Sequence, residues 1–181
     1  METLLLHSCC APCSAAVVEW LMAAGIQPVI FYFNPNIYPR EEYEKRKAEL
    51  TRYALALGLE VIDGDYDHGA WLDAVAGLER EPERGARCLE CFRMRLLAAA
   101  ALAQDRGIGR FATTLASSRW KDLGQIAEAG CWAATQVAGV EFWDRNWRKD
   151  GLSERRRLLI AGNGFYNQQY CGCEFSMRPA K

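Results

Sequence analysis

The sequence predicts an α/β fold: a single-domain, three-layer sandwich with a mostly parallel sheet and Rossmann-like topology. Short apolar, β-favouring runs alternate with helical patterns along the chain, and this order is typical of a parallel sheet covered by helices on both faces. The length of 181 residues suits one domain. No repeat, linker or low-complexity segment divides the chain, so we expect one domain over residues 1–181.

Each early element has its own signal. The first strand, residues 4–6, is a continuous apolar run, and a helix follows it at Pro12, whose missing N–H costs nothing in a first helical turn. The second strand, residues 28–33, ends at the turn signal Asn34-Pro35-Asn36. An apolar stripe at helical spacing predicts a helix over residues 41–57.

The later elements continue the alternation. We predict strands over residues 59–62, 111–115 and 140–143, and helices over residues 68–78, 88–105, 123–137 and 153–160. The strand order expected in the sheet is 3-2-1-4-5. Ligands of such sheets bind beyond the carboxyl ends of the strands, and Cys9 and Cys10 follow the first strand at one such end.

Charge and hydropathy narrow the possible functions. The formal net charge of -1 gives no global reason for a polyanionic partner, so a nucleic-acid surface would be a local patch. The start, Met1-Glu2-Thr3, is acidic and precedes too short an apolar run for a signal peptide, and the longest uncharged apolar stretch, residues 96–103, is too short to span a membrane. We therefore expect a cytoplasmic protein without membrane contact, in which structural disulfides are rare.

Seven of the eight cysteines fall into three clusters, which are Cys9, Cys10 and Cys13; Cys88 and Cys91; and Cys171 and Cys173. The first cluster lies where a strand passes into a helix, and the positive end of a helix favours thiolate, the form that binds metal or attacks. Clustered cysteines in a reducing compartment indicate a metal, an iron–sulfur cluster or redox chemistry. Adjacent cysteines in a regular strand would face opposite ways, so either the chain turns there or the two thiols serve different centres.

More than one role is expected for these thiols. A four-ligand centre uses four thiolates and leaves three over. The two thiols of Cys171-Gly172-Cys173 can face one way, which suits a redox pair with a strained, easily reduced disulfide. The alternative is that this pair completes the ligation of a metal. Cys131 stands alone on a predicted helix, where we expect it to pack in the core.

Four motifs follow one another along the chain: His7-Ser8-Cys9-Cys10-Ala11-Pro12, Arg87-Cys88-Leu89-Glu90-Cys91, Phe111-Ala112-Thr113-Thr114-Leu115, and Tyr166-Asn167-Gln168-Gln169-Tyr170-Cys171-Gly172-Cys173 followed by Ser176. Each motif alone is weak. Together, and in this order, they resemble the QueH family of epoxyqueuosine reductases over nearly the whole chain.

The resemblance implies the last step of queuosine synthesis, in which the epoxide of a modified base at the wobble position of tRNA is reduced without cobalamin. It implies a [4Fe–4S] cluster, with Cys9, Cys10, Cys88 and Cys91 as ligands of the cluster or of a metal, and a redox-active pair made by Cys171 and Cys173. Cys13 would be a direct ligand either of the cluster or of a second, mononuclear iron. The implied partners are tRNA carrying epoxyqueuosine and an electron donor protein, on a nucleotide-hydrolase-like sheet.

The reduction also needs a proton donor. His7 and Asp65 are candidates, as are Asp67 and Tyr170, and the sequence does not choose between them. The alternative for His7 is a hydrogen-bonded residue that orients the cysteine turn. His68, expected to cap a helix, is interpreted as structural.

For contact with tRNA, the sequence offers basic residues interleaved with an aromatic, which suit phosphates and an unstacked base. They are Arg145, Arg148, Lys149, Arg155, Arg156 and Arg157. Acidic neighbours dilute this patch, and a solvated helix face is the alternative. Arg119, Trp120 and Lys121 form a second candidate surface.

Two other functions compete with the reductase. A zinc-structured tRNA-binding module would use the cysteines only to hold the fold, but a closed zinc site takes four ligands and leaves thiols over. An ATP-dependent tRNA-modifying enzyme would carry a glycine-rich loop after the first strand. Cys9-Cys10-Ala11-Pro12-Cys13 occupies that position and contains no glycine.

Overall fold

The computed structural model describes residues 2–177. The strands are β1 (Glu2–His7), β2 (Ile26–Tyr32), β3 (Val61–Asp63), β4 (Arg110–Thr113) and β5 (Glu141–Phe142). The α-helices are α1 (Ala11–Ala23), α2 (Arg40–Ala56), α3 (His68–Ala74), α4 (Ala86–Asp105), α5 (Leu123–Gln136) and α6 (Leu152–Asn163). Two 3₁₀ turns, Thr114–Ser117 and Glu174–Ser176, complete these elements.

The strands form one sheet in the order β3-β2-β1-β4-β5, and each neighbouring pair is parallel. This confirms the predicted fold class and strand order. The central strand β1 pairs with β2 and β4, so its residue Leu5 lies between Val29 and Phe111. Leu4, Leu5 and Leu6 are completely buried, as a continuous apolar run in the middle of a parallel sheet requires.

Helices pack on each other in two groups that cover the sheet. Helix α1 packs against α2 and α6, whereas α4 packs against α3 and α5. The contact between α5 and β5 depends on Gly130, because a Cβ atom there would lie 2.3 Å from the ring of Phe142. A glycine thus lets the last strand approach its covering helix.

The element boundaries differ from the predictions in informative ways. Strand β4 ends at Thr113 rather than at residue 115, because the Thr113 hydroxyl accepts a hydrogen bond from the N–H of Leu115 at 3.2 Å and starts a 3₁₀ turn. Helix α4 begins at Ala86, before the predicted residue 88, which places Cys88 and Cys91 in its first two turns. Helix α3 stops at Ala74, where a helix to residue 78 was expected.

Within residues 2–177, none of the helices has both the length and the apolar character needed to cross a membrane.

Candidate metal centre

The turn between β1 and α1 gathers three thiols. Cys10 takes an extended backbone conformation as the residue before α1, with φ -173° and ψ 162°. The chain therefore bends after Cys9, and the Sγ atoms of Cys9 and Cys10 come within 3.8 Å of each other. Cys13 joins them from the first turn of the helix, so that the three sulfur atoms lie within 4.8 Å of one another. All three cysteines are buried.

The thiols of this cluster differ in their pKa values. Hydrogen bonds from Cys10 and Cys13 lower the pKa of Cys9 well below its ordinary value. Burial raises the pKa of Cys10 well above it. The side-chain amide of Gln168 also donates to the Cys10 sulfur at 2.7 Å. This donor set holds one thiolate readily, and a positively charged metal ion would favour the loss of the remaining protons.

The other four clustered cysteines lie on two elements. Cys88 and Cys91 are in the first two turns of α4, and Cys171 and Cys173 are in the segment of residues 165–177, which we call the C-terminal strap. Cys91 and Cys173 pack beside Trp71 in a small hydrophobic cluster apart from the main core. In the described part of the chain, only Cys9, Cys10 and Cys13 bring three such ligand atoms within 4.8 Å.

Two pockets adjoin the thiols. The Cys88 pocket, of about 320 Å³, is lined by Cys88, Cys171 and Cys173 together with Arg87. The Cys13 pocket, of about 310 Å³, is lined by Cys9, Cys13 and Cys171, with Arg46 and Gln168. Cys171, Trp120 and Lys121 line both pockets. The strap therefore places Cys171 between the first cysteine cluster and the second.

Backbone hydrogen bonds fix the strap at its cysteines. The guanidinium of Arg46 donates to the carbonyl oxygens of Cys171 at 3.1 Å and Tyr170 at 3.3 Å. The N–H of Tyr38 donates to the carbonyl of Gly172 at 2.9 Å. Gly172 has φ +149°, and a Cβ atom there would lie 3.1 Å from the Asn36 amide nitrogen. Both the backbone conformation and the limited space around this position favour a glycine.

Side chains hold the strap at its two ends. The N–H of Tyr166 donates to Glu49 at 2.8 Å, and its hydroxyl donates to Glu42 at 3.0 Å. At the other end, His68 contacts the Glu174 carboxylate at 3.0 Å and the carbonyl of Pro35 at 2.7 Å. His68 therefore has a structural role, as expected, although Asp67 and not His68 caps α3.

His7 is enclosed in the sheet beneath the cysteine turn. It is completely buried, with Nδ1 2.8 Å from the Thr113 hydroxyl and Nε2 3.0 Å from the carbonyl of Phe33. Thr113 Oγ1 accepts from Leu115, so its proton is available for Nδ1 and Nε2 donates to Phe33. Burial, and then the charge of Arg95, lower the pKa of His7 to about 3. The geometry favours the alternative in which His7 orients the turn.

The other proton-donor candidates are dispersed. Asp65 is exposed beyond β3. Asp67 is the N-cap of α3 and accepts from the N–H of Ala70 at 2.8 Å. The Tyr170 hydroxyl donates to the carbonyl of Tyr38, and burial raises the pKa of Tyr170 to about 12. The structure brings neither Asp65 nor Asp67 into the lining of the two thiol pockets.

Two of the residues that are predicted to contact nucleic acid also make contacts within the chain. The guanidinium carbon of Arg145 lies 4.0 Å from the ring centroid of Trp20 and 5.2 Å from that of Trp147. Arg148 donates to the carbonyl oxygens of Ser118 and Lys121, the latter at 2.7 Å. Both arginines pack and position neighbouring segments, because their donors point to partners of the same chain.

The remaining predicted contacts are more accessible. Lys149, Arg155 and Arg157 are exposed or nearly so. Arg155 pairs with Glu19 at 2.7 Å and Arg157 with Glu154. Arg156 turns inward and donates to the carbonyl of Pro12 at 2.8 Å, with a second nitrogen 4.0 Å from the Cys13 sulfur. It therefore belongs to the thiol site.

The expectation that Cys131 packs in the core is wrong, because this cysteine is exposed on α5. Its position on the solvent side of the helix follows from the neighbouring Gly130, which is the residue that faces Phe142.

Sequence reasoning assigned no role to several polar residues of the site. They are Arg46, Arg95 and Gln168. Arg95 follows Cys91 by one helical turn and donates to its sulfur at 3.8 Å, so the Cys-x-x-x-Arg spacing was a usable signal. Arg46 acts across a long stretch of chain, and only the folded chain shows its contact with the strap.

Comparison with known proteins identifies the family of the chain. Residues 4–179 match the family model described as epoxyqueuosine reductase QueH. The chain is 49% identical over 177 residues to the epoxyqueuosine reductase QueH of Haemophilus influenzae, covering 98% of this chain and 72% of that protein. The protein of the same name from Acinetobacter baylyi is 45% identical over 98% of this chain and 81% of its own. The epoxyqueuosine reductase QueH of Thermotoga maritima is 35% identical over 180 residues, which cover 98% of this chain and 91% of that protein.

Proposed function

The chain belongs to the epoxyqueuosine reductase QueH family, and from that premise we propose that it reduces the epoxide of epoxyqueuosine to queuosine at the wobble position of tRNA. The protein is an oxidoreductase by its family. Removal of the epoxide oxygen as water consumes two electrons and two protons and leaves a carbon–carbon double bond. The electrons would come from a one-electron donor protein.

The observation that carries the proposal is the gathering of cysteines at two adjoining pockets, which are lined by Cys9, Cys13, Cys88, Cys171 and Cys173. Cys9, Cys10 and Cys13 form the tighter group, and Cys171 lines both pockets between this group and Cys88. Such a gathering exceeds the four ligands of one structural zinc site. It supports redox work rather than a purely structural role.

The three-thiol group fits a single metal ion. A tetrahedral ion with metal–sulfur bonds of about 2.3 Å places its ligand sulfurs about 3.8 Å apart. The Sγ atoms of Cys9 and Cys10 are already 3.8 Å apart. Three protein ligands leave the fourth position of such an ion open, which is the arrangement of catalytic metal sites. We propose that this group, with Cys13 as a direct ligand, holds a mononuclear iron.

The other four thiols fit a [4Fe–4S] cluster. Cys88, Cys91, Cys171 and Cys173 supply the four thiolates that such a cluster takes. A cluster bound there would supply single electrons to the reduction. The resemblance instead implied Cys9, Cys10, Cys88 and Cys91 as ligands, with Cys171 and Cys173 as a redox pair. That set stays a prediction, and the geometry supports the division into three and four.

The protein's own charges suit an anionic centre. Arg95 approaches the Cys91 sulfur, and Arg156 approaches the Cys13 sulfur. The backbone N–H of Arg84 donates to the Cys88 sulfur at 3.3 Å. Donors aimed at sulfur stabilise thiolates and their clusters in a dry site. The arrangement can therefore keep several negative charges close together away from water.

Contact with tRNA is proposed for the accessible cations near the pockets. Lys149 is exposed at the turn before α6, and Arg155 and Arg157 lie on that helix. These side chains can exchange their present partners for phosphates, because exposed ion pairs are weak. Arg145, Arg148 and Arg156 would support this surface from within.

The first experiment is anaerobic purification with iron, sulfide and zinc analysis, followed by an assay for queuosine formed on tRNA that carries epoxyqueuosine. About five irons and four sulfides per chain, with turnover, would support both centres. The variants Cys13→Ser and Cys88→Ser then separate the two ligand sets. The division into three and four predicts that Cys13→Ser loses one iron and keeps its sulfide, whereas Cys88→Ser loses sulfide.

A single tight zinc without sulfide would overturn the redox proposal and leave a zinc-structured module that binds tRNA. Loss of sulfide in Cys9→Ser as complete as in Cys88→Ser would favour the ligand set that the resemblance implied.

A further inference from the structure

Buried cations around the thiols are almost all tied to oxygen atoms of the chain. Four arginines each donate to such an oxygen: Arg46 to Glu42 at 2.7 Å, Arg87 to the carbonyl of Glu79 at 3.0 Å, Arg95 to Asn34 at 2.5 Å, and Arg156 to the carbonyl of Pro12 at 2.8 Å. These partners fix the guanidinium groups and take up most of their donors, although Nε of Arg87 and Nε of Arg95 have no partner among the described residues. The arginines therefore have little capacity left to bind a substrate.

Lys121 is different. Its residue is only 6% exposed, and its side chain lines both thiol pockets. Across residues 2–177, its ammonium group makes no hydrogen bond or ion pair with an oxygen atom. The cysteine side chains that face it are those of Cys171, Cys9 and Cys13. A buried ammonium carries three donors and is costly to leave without acceptors.

The loop that carries Lys121 is rigidly held. The Arg148 guanidinium donates to the carbonyl of Lys121 at 2.7 Å, and the N–H of Lys121 donates to the carbonyl of Ser118 at 3.3 Å. The next residue, Asp122, caps α5 by accepting from the N–H of Gln125 at 2.9 Å. A charge positioned in this way needs no rearrangement when a negative charge develops beside it.

Other groups near the site are already committed. Both ring nitrogens of His7 have partners, and the Tyr170 hydroxyl donates to a carbonyl of the chain. The pockets nevertheless need a donor for the oxygen that leaves the substrate, since negative charge gathers on that atom as its bonds to carbon break. Among the cations that line the two pockets, Lys121 is the one that lines both, and no oxygen atom within residues 2–177 accepts from its ammonium group.

We propose that Lys121 Nζ donates a hydrogen bond to the epoxide oxygen of the modified base, which would lie in the space that Lys121 and Cys171 line together. This inference rests on the proposed function and adds a catalytic residue to it. Lys121 keeps its own proton and stabilises the charge on the departing oxygen. The two protons that complete the water molecule come from solvent.

The test compares two tRNAs that differ in the epoxide oxygen, one with epoxyqueuosine and one with queuosine. Binding of each to the loaded, oxidised wild type and to Lys121→Met is measured, with Arg52→Met, an exposed cation on α2, as the matched control. We expect Lys121→Met to weaken binding of the epoxyqueuosine tRNA by about tenfold, since a charged hydrogen bond is lost. Binding of the queuosine tRNA should hardly change. Single-turnover reduction should slow by on the order of 100-fold.

If Lys121→Met weakened binding of both tRNAs equally, or of neither, the assignment of Lys121 would be overturned. If Lys121→Met binds less iron, the comparison is repeated with wild type and variant both freed of iron, where the same loss of discrimination is expected. Lys121→Arg, which keeps the charge, should retain most of the discrimination between the two tRNAs. Failure of the wild type to reduce the epoxide tRNA would instead contradict the proposed function itself.

Discussion

His7 connects three strands at the base of the site. Its ring accepts from Thr113 of β4 and donates to Phe33 beyond β2, while its own backbone ends β1. The three strand ends that support the cysteine turn are thus tied through one side chain. Buried hydrogen bonds of this kind are costly to break, because each abandoned partner stays out of water.

We expect His7→Leu to lower the free energy of unfolding by about 2–4 kcal/mol, since it leaves the Thr113 hydroxyl and the Phe33 carbonyl without partners. Urea unfolding of the metal-free protein measures this free energy of unfolding. The control is Asp65→Asn, an exposed change after β3, for which we expect a difference under 0.5 kcal/mol. A loss as small in His7→Leu as in the control would show that His7 does not hold the turn.

At the scale of elements, close packing between α5 and β5 sets a strict limit on size. Gly130→Ala would place a methyl group 2.3 Å from the Phe142 ring, and we expect a loss of about 1–3 kcal/mol from overpacking. Gly162→Ala on α6 has open space around its Cβ atom and should stabilise the protein by about 0.5 kcal/mol. Thermal unfolding of both variants checks the contrast, and two shifts in the same direction would contradict it.

The strap is the second element with a testable connection. Arg46→Met removes the donors to the Cys171 and Tyr170 carbonyls, and we expect backbone hydrogen exchange in residues 166–177 to speed up by at least tenfold. Exchange in β1 should change much less. The matched control is Arg52→Met, an exposed change on the same helix that keeps these two hydrogen bonds. Unchanged exchange in the strap of Arg46→Met would show that other contacts hold it.

The elements also show what sequence reasoning reaches. Periodicity and apolar runs predicted the five strands and six α-helices of the described residues in their order along the chain, because burial on both faces of a parallel sheet leaves a clear pattern. The two 3₁₀ turns were not predicted. Boundaries set by single hydrogen bonds were missed, as at Thr113. Arg46, whose partners are distant in sequence, gave no local signal, and Lys121 was recognised only as part of a candidate surface for tRNA. The prediction for Cys131 was wrong because a lone cysteine does not indicate which face of the helix is buried.

On the scale of the whole molecule, charge is unevenly distributed. The formal net charge is -1, yet the thiol pockets are lined by cations that include Arg46, Arg87, Lys121 and Arg156. Attraction of tRNA therefore depends on the local field at this end of the sheet, and not on the total charge. Its range is short at physiological ionic strength.

We expect Lys149→Gln to reduce the slope of log binding constant against log salt concentration by about 1 if the side chain contacts one phosphate. Binding of tRNA at several salt concentrations measures it. Lys47→Gln, which changes the same charge beside Asp63 on another face, is the control. A slope equal to that of wild type would remove Lys149 from the contact surface.

The thiol site joins Cys9, Cys10 and Cys13 to a strap that follows all the other elements in the chain. During synthesis on a ribosome, the first cysteines emerge long before Cys171 and Arg46 can meet. The early thiols are then open to air oxidation and to whichever metal ion arrives first, and no cation or pocket wall from the strap protects them. Iron delivery is therefore best timed after release of the chain, and expression under low oxygen should improve the yield of correctly loaded protein.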